Sequence, residues 1–357
     1  MITVSLCMIV KNEEETIARC LESVKNLVDE IIIVDTGSTD KTKEIVSQFT
    51  DRIIDFTWID DFSAARNFSF QHATMDYIFW LDADDVLLED DRKKFSTLKD
   101  TLDPNVDSVT MIYSLATDEN GMVTTSLRRN RLVKRKNNFR WHGAVHEYLE
   151  VLGNILNSDI TVTHKPLHQH HDSERNLRIY EKRLARGEEF LPRDLFYYAN
   201  ELLDHQYYER AIEYYEKFLE TKKGWVEYNI SACGKLADCF DHLGDQESAL
   251  QYIYKSFEYD TPRAEFCCRL GYHFLNKKQY RMAAFWYKLA TQLEKPVESW
   301  GLLNHACWTW LPHLQLCVCY SQLGNHVLAY AHNEIARKHL PDCPSILHNK
   351  RFLESIL

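Results

Sequence analysis

Apolar runs alternate with helical periodicity through the first half of the chain, and helical periodicity alone continues through the second. Residues 4–10, Val-Ser-Leu-Cys-Met-Ile-Val, form a short apolar run that predicts a strand. After the polar stretch Lys11-Asn12-Glu13-Glu14-Glu15, Ile17, Leu21, Val24 and Leu27 recur at helical spacing. Residues 30–35, Glu-Ile-Ile-Ile-Val-Asp, read as a fully buried parallel strand ending in an acid, and Thr36-Gly37-Ser38-Thr39-Asp40 reads as a turn that caps a helix from Lys41. The pattern then predicts a short strand at 53–56, a helix at 63–73, a strand at 77–81 and a helix near 91–102. Two further strands, 109–114 and 124–133, flank a turn at Glu119-Asn120-Gly121. This alternation argues for a doubly wound α/β domain with a mostly parallel sheet.

From Asp172 onward strand signals stop. A linker helix over 174–186 leads to Gly187 and Pro192, which places a boundary near residue 185 and divides the chain into an α/β domain at 1–185 and an all-α domain at 186–357. In the second domain Ala211, Ala249, Ala283 and Ala329 each open the second helix of a similar pattern. Leu236-Ala237, Leu270-Gly271 and Leu316-Cys317 take the matching first-helix positions, and Gly244 and Gly324 fall at the inter-helix turns. These phases resemble tetratricopeptide repeats, whose period is about 34 residues. The tyrosines at 197, 198, 207, 208, 214 and 215 read as core filling. A longer gap before the fourth repeat predicts an insertion or helix extension near residues 295–304.

Charge narrows the partners. The formal net charge of −11 over 357 residues argues against a nucleic acid, and a phosphorylated small molecule would need a metal or a local basic cluster. Residues 1–10 are apolar but lack a basic leader and reach Lys11-Asn12-Glu13 too early for a signal peptide or a membrane span. No later run approaches spanning length, so a cytoplasmic protein is expected. The ten cysteines read as reduced, and those of the second half as small core residues of helices.

One stretch calls for chemistry. The apolar run at 77–81 ends in Asp82-Ala83-Asp84-Asp85, three acids within four residues at the carboxyl end of a predicted strand. Ligands of open α/β sheets bind along that edge. Close carboxylates repel one another, and a divalent cation relieves the repulsion while offering positive charge to phosphate oxygens. Lys11, Asn12, Asp35 and Asp61 fall at the same edge, and Arg66 could reach it from the first turns of a helix or pair with Asp61 at the surface. The basic segment 128–136 reads mainly as a solvated strand and loop, with one or two charges left for a diphosphate.

The stretches Ser5-Leu6-Cys7-Met8-Ile9-Val10-Lys11-Asn12-Glu13-Glu14, Val34-Asp35-Thr36-Gly37-Ser38-Thr39-Asp40-Lys41-Thr42, Ala65-Arg66-Asn67 and Leu81-Asp82-Ala83-Asp84-Asp85 resemble, in order, the signature of family 2 glycosyltransferases of the GT-A fold. The resemblance covers roughly the first half of the chain. It implies a nucleotide-diphosphate sugar donor, with uridine as the expected base, and Mn²⁺ or Mg²⁺. It assigns Val10, Asn12, Asp35, Arg66, Asp82, Ala83 and Asp84 to the nucleotide sugar, with Asp35 at the base or ribose, Asp82 on the ribose side and Asp84 on the metal.

In similar transferases the segment Trp141-His142-Gly143-Ala144-Val145-His146-Glu147 borders the acceptor. This places Trp141, His142 and His146 on that side, with Glu147 as general base or as a carboxylate orienting His146 or Trp141. His164 matches a histidine added to the metal shell. Lys165-Pro166-Leu167 departs from the usual Gly-aromatic continuation and leaves His168 and His170 as rivals.

The combination resembles bacterial peptide glycosyltransferases. It implies inverting transfer to a protein or peptide held by the repeats, against the alternatives of a surface glycan or lipid-linked acceptor and of an inactive scaffold. A nucleotidyltransferase would be expected to carry a phosphate loop that residues 10–13 do not supply. A homodimer through the helical domain is the other expected partnership.

Overall fold

A computed structural model describes residues 1–117, 123–167, 174–295 and 303–357. The turn at Glu119-Asn120-Gly121, His168, His170 and most of the expected insertion near 295–304 lie outside the described residues. The chain divides into two compact units, Met1–Glu189 and Phe190–Leu357.

The first unit follows the alternation of its sequence. In order come β1 (Val4–Val10), α1 (Ile17–Val24), β2 (Glu30–Asp35), α2 (Thr42–Val46), β3 (Ile53–Asp55), α3 (Phe62–Gln71) and β4 (Tyr77–Trp80). These are followed by β5 (Asp85–Leu87), α4 (Glu89–Thr101), β6 (Ser108–Thr117), β7 (Val123–Lys134), β8 (Arg140–His142), β9 (Tyr148–Glu150), β10 (Ile155–His164) and α5 (Arg175–Ala185). The main sheet runs β3-β2-β1-β4-β7-β6-β10-β5. Strands β1 to β4 are parallel, and β7 enters antiparallel between β4 and β6.

Both sheet faces are covered, which is why the parallel strands read as continuous apolar runs. Leu6, Met8, Tyr77 and Phe79 pack on one face with Ile17, Cys20, Leu21 and Val24 of α1 and Phe95 of α4. The alternate residues Cys7, Ile78 and Trp80 pack on the other with Phe70 of α3 and with Trp141 and Leu149 of the β8–β9 hairpin.

Three elements depart from the sequence pattern. β5 and the β8–β9 hairpin are each built of three-residue strands, too short for periodicity to register. Helix α2 has only five residues, started by Asp40, whose Oδ1 accepts from Thr42 N at 3.0 Å. The β5 turn matters most for function, because Asp85 N donates to Asp82 O at 3.1 Å and folds the acidic run back on itself.

The second unit is all helical among its longer elements. It contains α6 (Pro192–Asp204), α7 (Tyr208–Glu220), α8 (Val226–His242), α9 (Gln246–Lys255), α10 (Ala264–Asn276), α11 (Tyr280–Ala290), α12 (Trp310–Gln322), α13 (His326–His339) and α14 (Pro344–Glu354). Ala211, Ala249, Ala283 and Ala329 are buried within α7, α9, α11 and α13, and Leu236, Leu270 and Leu316 are buried within α8, α10 and α12. The cysteines at 233, 239, 267, 268, 307, 317 and 319 are buried in this packing. Among the described residues no helix is long and apolar enough to cross a membrane.

Gly271 shows why the repeat needs a small residue. A Cβ at that position of α10 would lie 2.7 to 2.8 Å from three ring carbons of Tyr287 on α11, which is itself buried. Alanine normally favours a helix over glycine by about 1 kcal/mol, whereas overpacking of a closed core costs about 1–3 kcal/mol. Gly271→Ala is therefore expected to lower unfolding stability, read as a lower urea midpoint with an unchanged slope. An unchanged or raised midpoint would show that the Tyr287 ring moves aside freely.

Candidate active site

Successive strands deliver the site. β1 ends at Val10 and β2 at Asp35, while β4 runs into the Asp82–Asp85 turn. Asp35 is buried, and its Oδ2 accepts from Gly37 N at 3.0 Å and Ser38 N at 2.9 Å. Its Oδ1 is buried without a hydrogen-bond partner. Such a group is costly to leave unmet and suits a ligand donor. Asn12 sits in the left-handed region at φ 54°. Its Oδ1 accepts from Thr39 N at 2.8 Å and its N donates to Ser38 Oγ at 3.0 Å, so it braces the loop after β1 against the turn after β2. Val10 is buried and takes Thr36 N on its carbonyl, and Ala83 is buried in the core beneath the acidic turn.

Arg66 occupies the centre. Asp61 caps α3 by accepting from Ala64 N at 3.0 Å, which sets the first turn of the helix and aims Arg66 at the sheet edge. Arg66 does not pair with Asp61. Its Nη2 donates to Asp82 Oδ1 at 2.6 Å and its Nε to Glu147 Oε1 at 2.5 Å. The guanidinium carbon lies 4.9 Å from the ring of Trp80 and 4.9 Å from that of Trp141. Burial opposes its charge, but Asp82 and Glu147 outweigh that and raise its pKa further. Burial likewise opposes the charge of Asp82, and Arg66 and Arg131 prevail, holding its carboxyl below the usual carboxylate range.

The acceptor-side residues separate. Trp141 is buried, lies edge-on to Trp80 at 4.7 Å and exchanges two backbone hydrogen bonds with the Asn67 side chain, so it forms the floor under Arg66. His142 is exposed and its Nε2 lies 3.1 Å from Glu150 Oε2. His146 is in the left-handed region at φ 50°, next to Glu147, and Ala144 O accepts from Phe62 N at 2.9 Å to fasten this loop to α3. Glu147 is engaged by Arg66, where the sequence suggested His146 or Trp141.

Beside this cluster, Asp84, Asp85 and His164 bring one ligand atom each to within 4.8 Å of one another. His164 Nδ1 lies 3.4 Å from Asp84 Oδ1 and 3.7 Å from Asp85 Oδ1, with Tyr113 Oη at 3.1 Å. Asp84 and then Asp85 raise the imidazole pKa to about 10. Two carboxylates and an imidazole suit a divalent cation such as Mn²⁺. The fit is supported by Asp85 Oδ1, which is buried without a hydrogen-bond partner.

Two acids and one base escaped the sequence reading. Asp85 stood in the acidic run without an assigned part. Glu13 lies close enough that burial, and then Asp84, Asp82 and Asp40, raise its carboxyl pKa, although Thr16 Oγ1 donates to it at 2.7 Å. Arg131 corrects the view of its basic run as solvated, since it is wholly buried against Asp85, with Nη1 at 3.0 Å from Oδ2. Its position just before the buried Leu132-Val133 of β7 was the available signal.

The chain is similar in sequence and in fold to known proteins. Residues 5–150 match the family model for glycosyl transferase family 2. A TPR repeat-containing protein of Synechococcus elongatus is 29% identical over 338 residues, covering 92% of this chain and 74% of that protein. The SPbeta prophage-derived glycosyltransferase SunS of Bacillus subtilis is 31% identical over 234 residues, covering 62% of this chain; the chain spans only 54% of SunS. Among solved structures, glucosyl-3-phosphoglycerate synthase from Mycobacterium tuberculosis, in complex with Mn²⁺ and uridine-diphosphate-glucose, has a TM-score of 0.37 at 16% identity, covering 53% of this chain and 80% of that one. A tetratricopeptide repeat protein from Parabacteroides merdae has a TM-score of 0.39 at 14% identity, covering 51% and 66%. The α/β unit that carries the acidic turn is thus a glycosyl transferase family 2 domain, and the helical unit that follows it is tetratricopeptide-repeat-like.

Proposed function

We propose that the chain is an inverting, metal-dependent glycosyltransferase that moves a sugar from a uridine-diphosphate donor to a protein or peptide acceptor bound by its helical unit. The observation that carries this reading is the Asp82–Asp85 turn, which supports two charge clusters at once: Asp82 with Arg66, and Asp84 with Asp85 and His164. Asp35, with one unmet buried oxygen, is suited to the base or ribose. Asp84 and His164, with Asp85 beside them, would hold Mn²⁺ or Mg²⁺, which supplies positive charge for the diphosphate leaving group. Glu147 is the carboxylate proposed to take the acceptor proton as the acceptor attacks the anomeric carbon.

A thermal shift panel of nucleotide sugars with Mn²⁺ tests the donor, because a ligand that binds the native state raises apparent stability with its affinity. The uridine sugar is expected to shift the transition, and the same panel in chelator is expected to be flat. The stacked helix pairs, which generate extended surfaces in such repeats, favour a peptide acceptor over a lipid-linked one. Trp225→Ala and Tyr272→Ala remove exposed aromatic residues at the start of α8 and on α10. Both variants are expected to keep donor hydrolysis and circular dichroism while losing transfer to the peptide acceptor. Wild-type transfer by both, together with dimerisation through the helical unit, would make the repeats an assembly device.

A further inference from the structure

We infer that Arg131 is a positioning residue for the metal, fixing one oxygen of Asp85 so that the other becomes a third ligand beside Asp84 and His164; this rests on the metal-dependent reading above. Asp85 has no exposed surface. Its Oδ2 is ion-paired with Arg131 Nη1 at 3.0 Å and accepts from Asp82 N at 3.0 Å, which commits that oxygen to the protein. Oδ1 is left buried without a hydrogen bond and faces His164 Nδ1 from 3.7 Å, beyond hydrogen-bond reach. A carboxylate held in this way can offer a cation one oxygen only, in one direction.

The surroundings of Arg131 make the orientation stiff. Its guanidinium carbon lies 3.9 Å from the ring of Trp80 and 4.5 Å from that of Tyr113, and Nη1 also reaches Trp80 O at 3.3 Å. Burying an ion pair is costly, and an apolar pair of similar volume often serves stability equally well. The position is therefore better explained by geometry than by stability, since the guanidinium lies against both rings and meets Asp85 through Nη1 alone, with Nε and Nη2 buried without hydrogen bonds. Two carboxylate oxygens and one imidazole nitrogen favour Mn²⁺ over Ca²⁺, which takes oxygen ligands alone.

The test uses the full chain, stripped of metal with chelator and titrated with Mn²⁺ alone by calorimetry and by Mn²⁺ electron paramagnetic resonance. Arg131→Met is expected to weaken Mn²⁺ about 10- to 100-fold, the usual effect of losing a group that orients a metal ligand, and Asp85→Asn, which neutralises the ligand itself, at least as much. Arg131→Met leaves a buried carboxylate uncompensated and is expected to melt at a lower temperature. The double variant Arg131→Met with Asp85→Asn removes that burden, so its melting temperature should recover while its Mn²⁺ affinity stays as low as that of Asp85→Asn. Wild-type affinity in Asp85→Asn, or in a folded Arg131→Met, overturns the inference and leaves the metal reading standing. Absence of Mn²⁺ binding by the wild type overturns the metal reading and this inference with it.

Discussion

Asp84→Ala is expected to abolish metal-dependent binding of the uridine-diphosphate sugar. A diphosphate approaching this edge meets Asp35, Asp82, Asp84, Asp85 and Glu13 in a chain of net charge −11, and Arg66, the guanidinium at its centre, is already balanced by two carboxylates. Without a cation the donor is repelled. Asp84 contributes one of the three atoms gathered for that cation and is the more exposed of the two carboxylates, with its side chain 17% accessible against 0% for Asp85. Its loss removes a ligand from the face open to the donor. Calorimetry with Mn²⁺ should give binding for the wild type and none for the variant, and wild-type protein in chelator should match the variant. Equal donor affinity in chelator would mean that Arg66 and its neighbours bind the diphosphate unaided.

Glu147→Gln should leave donor affinity near the wild-type value while transfer falls by about 10²- to 10⁴-fold, the usual contribution of a general base. The substitution is chosen for its geometry. A glutamine oxygen can still accept from Arg66 Nε, the contact Glu147 Oε1 makes at 2.5 Å, so Arg66 should remain over Trp80 and Trp141. The capacity to take a proton is lost, together with one of the two negative charges that balance Arg66. Turnover close to wild type would show that Glu147 serves to anchor Arg66. Deprotonation of the acceptor would then fall to the Asp82–Asp85 group, or be needless for a thiol acceptor that is already ionised.

Much of this architecture was legible because periodicity reports burial. β1, β2 and β4 carry continuous apolar runs since both sheet faces are covered, and the repeat alanines stand where helices close on one another. The acidic turn was legible for the opposite reason, as clustered carboxylates have no packing purpose. What escaped was pairing across long sequence separations. Nothing local in Phe139-Arg140-Trp141 says that Trp141 will lie under Arg66, and nothing in a run of arginines separates Arg131, wholly buried, from Arg128, which donates to Ser158 O at 2.7 Å near the far end of β10. Three-residue strands such as β5 and β8 are shorter than any period they could display.

The contacts of Arg66 also bear on the order in which a complete chain refolds. They join residues 16 and 81 positions apart, drawn from α3, the end of β4 and the loop before β9. The helical unit is stitched by neighbours in sequence, α6 on α7, α8 on α9, α10 on α11 and α12 on α13. Contacts between distant residues must wait for loops to close, so folding slows as sequence separation grows. The helix pairs should therefore reach their native packing while the guanidinium is still searching for its two carboxylates. A full-length chain refolding from denaturant would pass through a stage in which its repeats are formed and its acidic edge is not.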